Sequence, residues 1–205
     1  GTLGFNIIVP TTTLTDSYTA TVYNDADMTV SEARFVYANP QDKQDAVDDI
    51  EAADGNAETI KDIIEASYLA LGISQDTYDK MSVSKVVELL GDTSLTLDNV
   101  SEILNKLAAI TIVDLGNTEN LFSYADTLEL GKSDIKDLYT KGYVTEKVEK
   151  EITGALKNGD FATVDEFYDR LNEQFVLAVV KNADGYGNAK EVIERLKNEY
   201  PDTGC

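Results

Sequence analysis

Residues 60–73 read IKDIIEASYLALGI, and the spacing of their apolar side chains indicates an amphipathic helix. The residues that share the apolar face recur at steps of three or four: Ile60, Ile63, Ile64, Tyr68 and Leu71. Gly72 follows them, and a glycine in the left-handed conformation commonly ends a helix. The stretch therefore predicts a helix that Gly72 terminates.

Two more helices are predicted downstream. The first is short, is ended by Gly91, and has its apolar side chains at Val86, Val87 and Leu90. The second has its apolar side chains at Val100, Ile103, Leu104 and Leu107. Asp98 precedes this second helix, and because a carboxylate in that place accepts a free backbone N–H, we predict that Asp98 is its N-cap.

The order of these helices recurs along the chain. Each set begins with an Ala-Asp pair, at residues 53–54, 125–126 and 183–184. A period of roughly 65 residues is longer than most known repeats but of the size expected for a small helical unit. Helices of the second copy are predicted at residues 135–142, 148–159 and 164–175, and a third copy begins near residue 182.

The first forty residues differ from the rest, because apolar and polar side chains alternate there as in β-strands. Strands are predicted at Phe5–Val9, Tyr18–Tyr23 and Thr29–Tyr37, with residues 24–27 as a hairpin turn. Leu14–Tyr18 resembles the tyrosine corner that leads into a late strand of immunoglobulin-like sandwiches. Such a sandwich has about seven strands. The resemblance therefore implies that the other strands come from a longer chain or from a partner.

The predicted fold is mainly α: tandem small helical bundles preceded by a short antiparallel β segment, which is a partial Ig-like sandwich. A partial Ig-like β segment is predicted at residues 1–40, and helical repeats at residues 46–112 and 113–180. The truncated start of a third repeat is predicted at residues 181–205. Each unit is expected to bury its own apolar stripes and to stack on its neighbours.

The motifs of the first unit resemble a known module. Tyr68–Ile73, Tyr78 and the run Val83–Leu90 are similar to the helical repeat that lies between Ig-like domains in large surface proteins of Gram-positive bacteria (Firmicutes) and some of their phages. The similarity covers about residues 46–200, and it is looser in the second copy, where Thr140–Tyr143 replaces the Leu-Gly-Ile signature. It implies a spacer or an adhesive stalk without catalytic activity.

The charge of the chain limits its partners. The sequence has 38 acidic and 17 basic residues and a formal net charge of −21. Such a charge repels phosphate backbones and anionic lipids, so nucleic acid and membrane surfaces are disfavoured as partners. No apolar run approaches the roughly 20 residues of a membrane-spanning helix, and we expect no membrane insertion. The excess acid is expected to keep an exposed, repetitive protein soluble.

Catalysis is disfavoured by the residue types present. The chain has no histidine and no tryptophan, and its single cysteine is Cys205. These facts remove the usual general base, the nucleophile pairs that depend on histidine, and the ordinary zinc ligand sets. Paired carboxylates that cleave glycosides would need a sugar-binding cleft, for which no aromatic platform is evident. We therefore expect a protein that is not an enzyme and has no cofactor.

Calcium is the one ligand that the acidic residues suggest. The stretch from Asn182 to Gly185 contains Asp184, and with Glu191 it resembles the middle and end of a calcium loop. Val180 stands where the first ligand should be, which argues against such a loop. Asp25 and Asp27, in the predicted hairpin turn, are the other candidates. Turn and helix-entry roles are favoured for these residues, with calcium binding as the alternative.

The expected function is that of a structural spacer or stalk of a modular extracellular protein on the cell surface, with adhesion as an added role. Its partners would be neighbouring modules of the same protein, and host or cell-wall protein or glycan. One alternative is a virion component, such as a phage tail or capsid appendage. Another is a module that binds protein, glycan or calcium, for which Tyr68, Tyr78 and Tyr168 would have to be exposed together. A third is an accessory domain of a larger surface enzyme.

Overall fold

The computed structural model describes residues 8–10, 12–24, 29–118, 120–129, 145–183 and 185–199. They form a two-stranded antiparallel sheet followed by α-helices and one 3-10 turn, which confirms a mainly helical fold with a small β segment. The proposed tandem repetition of the helical units stays a prediction.

Within the described ranges, the elements follow one another in the order two strands, five helices, a 3-10 turn and three helices. They are β1 (Asp16–Asn24), β2 (Thr29–Tyr37), α1 (Pro40–Ala52), α2 (Ala57–Ser67), α3 (Gln75–Lys80), α4 (Val83–Leu90), α5 (Val100–Leu115), the 3-10 turn (Leu121–Tyr124), α6 (Glu146–Leu156), α7 (Val164–Lys181) and α8 (Gly185–Glu199).

Chain contacts divide the protein into two compact units. The first unit runs to Gln75 and includes Ser94–Ser101, and the second holds Asp76–Thr93 and everything from Glu102 onward. These two units do not show whether one predicted repeat resembles the next. The predicted domain boundaries at residues 40, 46, 112 and 180 therefore stay predictions.

The β-hairpin agrees with the second and third predicted strands. β1 and β2 pair along their whole length, from Asp16 opposite Tyr37 to Asn24 opposite Thr29. Ile8 and Val9 lie outside any strand, and the remainder of the first predicted strand falls outside the described residues. The same holds for residues 25–27 of the predicted turn.

The hydrogen bond of the predicted tyrosine corner is present. The Tyr18 hydroxyl donates to the Leu14 carbonyl oxygen at 2.8 Å, which fixes the chain just before β1. The Tyr18 ring lies 6.0 Å from the ring of Phe35, its cross-strand neighbour, so both aromatic side chains share one face of the hairpin.

Asn39 joins the hairpin to the first helix. Its side-chain oxygen caps α1 by accepting from the Gln41 N–H at 2.9 Å, while its amide nitrogen donates to the Thr13 carbonyl at 2.9 Å. Its backbone N–H donates to the Thr15 hydroxyl oxygen at 2.8 Å. Asp42 accepts from the Thr15 N–H at 3.1 Å. The passage from strand to helix is therefore held by hydrogen bonds on both sides.

α1 and α2 pack on each other in the first unit. The buried residues of α2 are Ile60 and Ile64, which the helical period predicted. Those of α1, a helix that the apolar spacing did not identify, are Ala46, Val47 and Ile50. α2 ends at Ser67, and one further turn leads to Gly72 at φ +86°. The Gly72 and Ile73 N–H groups donate back to Leu69 and Tyr68, the bond pattern by which a left-handed glycine ends a helix. The regular helix therefore ends five residues earlier than predicted, at Ser67, and Gly72 closes the turn that follows it.

The N-cap predicted at Asp98 is wrong. The Thr96 hydroxyl accepts from the Asn99 N–H at 3.3 Å, and the Asn99 side-chain oxygen accepts from the Thr96 N–H at 2.7 Å. The Val100 N–H already donates to the Thr96 carbonyl in helical fashion, so the turn that leads into α5 begins at Thr96. This reciprocal pair has the geometry of a capping box. Asp98 lies within the turn, exposed.

The later helices agree with the apolar pattern where the chain is described. α6 and α7 bury the predicted apolar faces, with Val148, Ile152 and Leu156 in one and Phe167, Leu171 and Phe175 in the other. α8 corresponds to the predicted start of the third copy. The helix predicted at residues 135–142 falls outside the described residues.

The corrected N-cap leads to a pair of matched substitutions. Thr96→Ala removes the hydroxyl that accepts from Asn99, and we expect it to lower the free energy of unfolding by about 1 kcal/mol. Asp98→Ala should change it by less than about 0.5 kcal/mol, because Asp98 is exposed and outside the cap. Urea unfolding followed by circular dichroism measures both. Equal losses for the two variants would contradict the assignment of the cap to Thr96.

Candidate functional site

Of the four candidate calcium ligands, Glu191 is the one that lies in the described part of the chain. It is on α8 with an exposed side chain, whereas Asp184, Asp25 and Asp27 fall outside the described residues. Within the described ranges, no three acidic side chains converge in a way that could hold a metal ion. Asp54, the equivalent of Asp184 in the first copy, occupies a turn at φ +47°. Its role there is to reverse the chain before α2.

The three tyrosines of the binding-module alternative are all partly covered. Tyr68 donates its hydroxyl to the Gln75 side chain, and Tyr168 donates to the Leu128 carbonyl oxygen at 2.8 Å. Tyr78 is also half-buried. The hydroxyls of Tyr68 and Tyr168 thus donate hydrogen bonds to the protein. A tyrosine that only capped a core would instead have its hydroxyl in water.

Tyr168 belongs to a mixed aromatic and ionic cluster. The Lys106 ammonium lies 5.3 Å from the centre of its ring and 2.8 Å from the Glu129 carboxylate. Burial by itself lowers the pKa of Lys106. The hydrogen bond to Glu129 and the nearby Tyr168 outweigh this effect, so the pKa of Lys106 is raised above its ordinary value. Burial raises the pKa of the Tyr168 phenol, with Lys106 acting in the opposite direction. Both groups keep their protons at neutral pH, so the cluster serves cohesion.

A row of polar side chains on α5 is the most organised polar feature of the second unit. Thr111, Asp114 and Asn117 follow one another at steps of three, beginning within a stretch that is buried throughout from Leu107 to Asp114. Thr111 and Asp114, three apart within α5, lie on the same side of the helix. Asn117 lies past the end of α5, after Gly116 at φ +69°, so its place is given by its hydrogen bond rather than by helical spacing.

Each member of this row binds a backbone group of a neighbouring segment. The Thr111 hydroxyl accepts from the Ser82 N–H at 3.2 Å, at the start of α4. Asp114 accepts from the Asp160 N–H at 3.0 Å, and the Asn117 amide donates to the Lys80 carbonyl at 2.6 Å. We name Thr111, Asp114 and Asn117 the α5 polar row. It holds the segment before α4 and the loop before α7 against α5.

The loop at residues 157–160 is strained, and its backbone donors are occupied. Asn158 and Asp160 have φ of +57° and +49°, a conformation that costs energy in residues other than glycine. Successive N–H groups in such a loop can form an anion site. Here the N–H groups of residues 158, 159 and 160 donate to Asp114, Leu156 and Asp114 in turn. The strain therefore serves the attachment to α5 rather than a ligand.

Glu149 is a second buried carboxylate in this unit. Its Oε1 accepts from the Phe122 N–H at 2.9 Å, at the start of the 3-10 turn. Thr153, also buried, donates back to the Glu149 carbonyl at 2.9 Å. A buried carboxylate without a partner would be costly. This one binds the turn to α6.

A shallow cavity of about 400 Å³ lies beside α6. Its lining residues are Gly116, Thr118, Lys150, Thr153, Gly154 and Lys157. Lys150 is paired with Glu146 at 2.9 Å, and the stem of Lys157 crosses Gly116, where a side chain would collide with it. The cavity lies at the C-terminal ends of α5 and α6, which carry partial negative charge and favour these lysines.

The sequence suggests acidic turns and tyrosines as binding residues. In the structure, the buried polar side chains that bind neighbouring segments are instead Asp114, Glu149 and Thr111. These residues carried one usable signal, because each interrupts an apolar helix face at a core position. Their backbone partners lie far along the chain, and no local pattern identifies them.

Comparison with protein-family models, with curated proteins and with solved structures found no match to this chain. None of the helices in the described ranges combines the length and the apolar character that crossing a membrane requires.

The α5 polar row can be tested at its central member. Asp114→Ala leaves the Asp160 N–H without an acceptor, and we expect a loss of about 1–3 kcal/mol in the free energy of unfolding. Asp114→Asn keeps an oxygen in place and should lose clearly less. Thermal and urea unfolding provide the values. If the two variants were equally destabilised, the accepted hydrogen bond would not be the cause.

The Tyr168 cluster predicts the behaviour at alkaline pH. The pKa of Tyr168 is raised in the folded state, so the unfolded chain loses this proton first and stability falls as the pH rises past about 10. Lys106 acts in the same direction, because its raised pKa gives stability that is lost as the ammonium deprotonates. Tyr168→Phe should make the alkaline decline shallower and leave the slope unchanged between about pH 7 and 9. An unaltered alkaline slope in this variant, measured by urea unfolding at a series of pH values, would refute the role of Tyr168.

Proposed function

We propose that this chain is a non-catalytic spacer or stalk segment of a modular extracellular protein at the cell surface. The observation that carries the proposal is the use made of the buried polar side chains. Thr111, Asp114 and Glu149 each accept a hydrogen bond from a backbone N–H of a neighbouring segment. Polar groups inside a protein are expensive, and these three are employed in holding helices and loops together.

The surface supports the same function. Within the described part of the chain, Asp114 and Glu149 are the buried acidic residues, and the other carboxylates are partly or fully exposed. Most ion pairs at this surface join residues three or four apart on one helix, such as Lys80 with Asp76 and Lys150 with Glu146. Exposed pairs of this kind contribute little to stability. The abundance of these exposed ion pairs is suited to a spacer segment, which must stay soluble in the surrounding water.

The chemistry of the chain supports a mechanical role over a catalytic one. Without histidine, an enzyme built here would rely on carboxylates, lysines and tyrosines. The buried members of that set are Asp114 and Glu149 in the described ranges, and both are committed to backbone donors. The most elaborate side-chain cluster, around Tyr168, holds groups that keep their protons at neutral pH.

In the proposed mechanism each helical unit carries its own core and adds length to the parent protein. Neighbouring modules of the same polypeptide are its direct partners, and the excess acid keeps adjacent stalks apart. The resemblance of Tyr68–Ile73 and Val83–Leu90 to helical repeats of Gram-positive surface proteins supports this setting. The same resemblance extends to phage proteins, so a virion appendage is the alternative location.

The location can be tested by labelling. Antibodies raised against the purified chain should bind intact, unpermeabilised cells of the source organism, and mild external protease should remove the signal. Permeabilised cells and a cytosolic marker protein serve as controls. Signal that appears only after permeabilisation would overturn the surface proposal. Labelling of purified virions, with none on uninfected cells, would favour the virion location instead.

A further inference from the structure

We propose that β2 is a self-recognition strand, which pairs antiparallel and edge to edge with β2 of a second copy of this chain. The two-fold axis of this pairing passes at Ala33, the middle residue of Thr29–Tyr37. The product is a continuous four-stranded sheet with the two β2 strands at its centre. This inference goes beyond the spacer function and does not depend on it.

The first observation is the open edge of β2. β1 and β2 form a two-stranded sheet, and no third strand from the described ranges pairs with either of them. Within the described ranges, the outer edge of β2 therefore offers the backbone N–H and C=O groups of alternate residues along its nine-residue length. A hairpin with two strands alone is only marginally stable in water, whereas additional strands stabilise the sheet. The edge is a site for β-augmentation.

The second observation is the charge pattern at the middle of this edge. Glu32 and Arg34 stand on either side of Ala33, and both side chains are exposed. No ion pair joins either of them to another part of the described chain. In antiparallel pairing about Ala33, Glu32 of one copy lies directly opposite Arg34 of the other, and the reverse holds by symmetry. The contact thus gains two opposite-charge pairs.

The pattern also fixes the register. A two-fold axis perpendicular to the sheet must pass through a residue, because directly opposed side chains point to the same face. Moving the axis to Glu32 or to Arg34 would set two like charges opposite each other. The Ala33 register is therefore favoured over its nearest neighbours on both sides. Charged residues on an edge usually prevent pairing, but here they are complementary to a copy of themselves.

β1 has no comparable pattern at its outer edge. Its one charged residue, Asp16, stands at the beginning of the strand, so pairing of β1 with itself would bring no opposite charges together. Specific association requires a favourable match in the correct pairing and a penalty in the others. β2 satisfies both conditions, and β1 satisfies neither.

The faces of the enlarged sheet remain consistent with the alternation of side chains. Tyr18 and Phe35 are opposite each other on one face of the hairpin, with Ala20 and Ala33 one step further along. Pairing at Ala33 continues this face into the second copy. Glu32 and Arg34 lie on the other face, with Thr21 and Thr19 as their neighbours on β1. Val36 also lies on that second face and Ser31 lies on the face of Phe35, so each face of the four-stranded sheet carries both polar and apolar side chains.

Charge reversal tests the proposal. The purified chain should form dimers in sedimentation equilibrium. Glu32→Arg sets two arginines opposite each other at both symmetric positions, and Arg34→Glu does the same with two glutamates. Each should weaken dimerisation by about tenfold or more, since two favourable cross-strand pairs become repulsive. Ser17→Lys, which adds positive charge to the exposed surface of β1, is the matched control and should leave the dimer intact.

Restoring the complementarity separates this geometry from simple loss of folding. The double variant Glu32→Arg/Arg34→Glu again has opposite charges across the axis and should recover the dimer. A mixture of the two single variants should form heterodimers, although neither associates with itself. A monomeric parent protein, single variants that dimerise as well as the parent, or a mixture that stays monomeric would each overturn the proposal.

Discussion

The burial of α5 on every side between Leu107 and Asp114 is the constraint on which the second unit depends. From Leu107 to Asp114 each residue is buried, whereas most helices of a small domain expose one face. A helix in that position needs neighbours all round it. The chain supplies them as short segments and loops, and these bring backbone N–H and C=O groups into contact with α5. Such groups must find partners when they leave water.

The α5 polar row meets this requirement. Its three members place one hydroxyl, one carboxylate and one amide where loop backbone approaches the helix. The loop before α7 adopts left-handed conformations at Asn158 and Asp160 in order to reach Asp114. The cost of this backbone strain is offset by two hydrogen bonds to Asp114. The same arrangement allows Phe161 to pack edge-on against Phe167, with 5.3 Å between the ring centres. The strain at Asn158 and Asp160 is therefore a consequence of how this loop meets the buried part of α5.

Much of the fold could be predicted because its signals are local. The alternation of residues 18–23 and 29–37 identified both strands, and the apolar steps identified α2 and the α4–α7 helices within the described ranges. Gly72 has positive φ, as its glycine predicted, and it closes the turn that follows α2. The N-cap was predicted at the wrong residue because three residues that can cap a helix, Thr96, Asp98 and Asn99, lie close together. Thr96 is the cap because it forms a reciprocal pair of hydrogen bonds with Asn99, and this pairing depends on backbone geometry rather than on composition.

The site residues were harder to predict, because their partners are distant in sequence. Asp114 binds a residue 46 positions away, and Glu149 binds one 27 positions away. From sequence alone, Asp114 is one carboxylate among 38 acidic residues. What separates it is burial, which follows from the tertiary position of α5. Asp54, the counterpart of the calcium candidate Asp184 in the first copy, is a turn residue with positive φ, and this conformation is a sufficient reason for an aspartate there.

The net charge and the pattern of β2 together restrict how copies of the chain can meet. Two bodies that each carry −21 repel one another over distances set by the ionic strength, so broad contact between their helical surfaces is unfavourable. Association is then confined to places where short-range bonds exceed that repulsion. Backbone pairing along a strand edge provides many such bonds in a small area, and Glu32 with Arg34 contributes no net charge to it. The acidic helices and the locally neutral strand edge therefore have compatible roles. The charge of the helices keeps copies of the chain apart, and the proposed pairing of β2 determines the one orientation in which two copies associate.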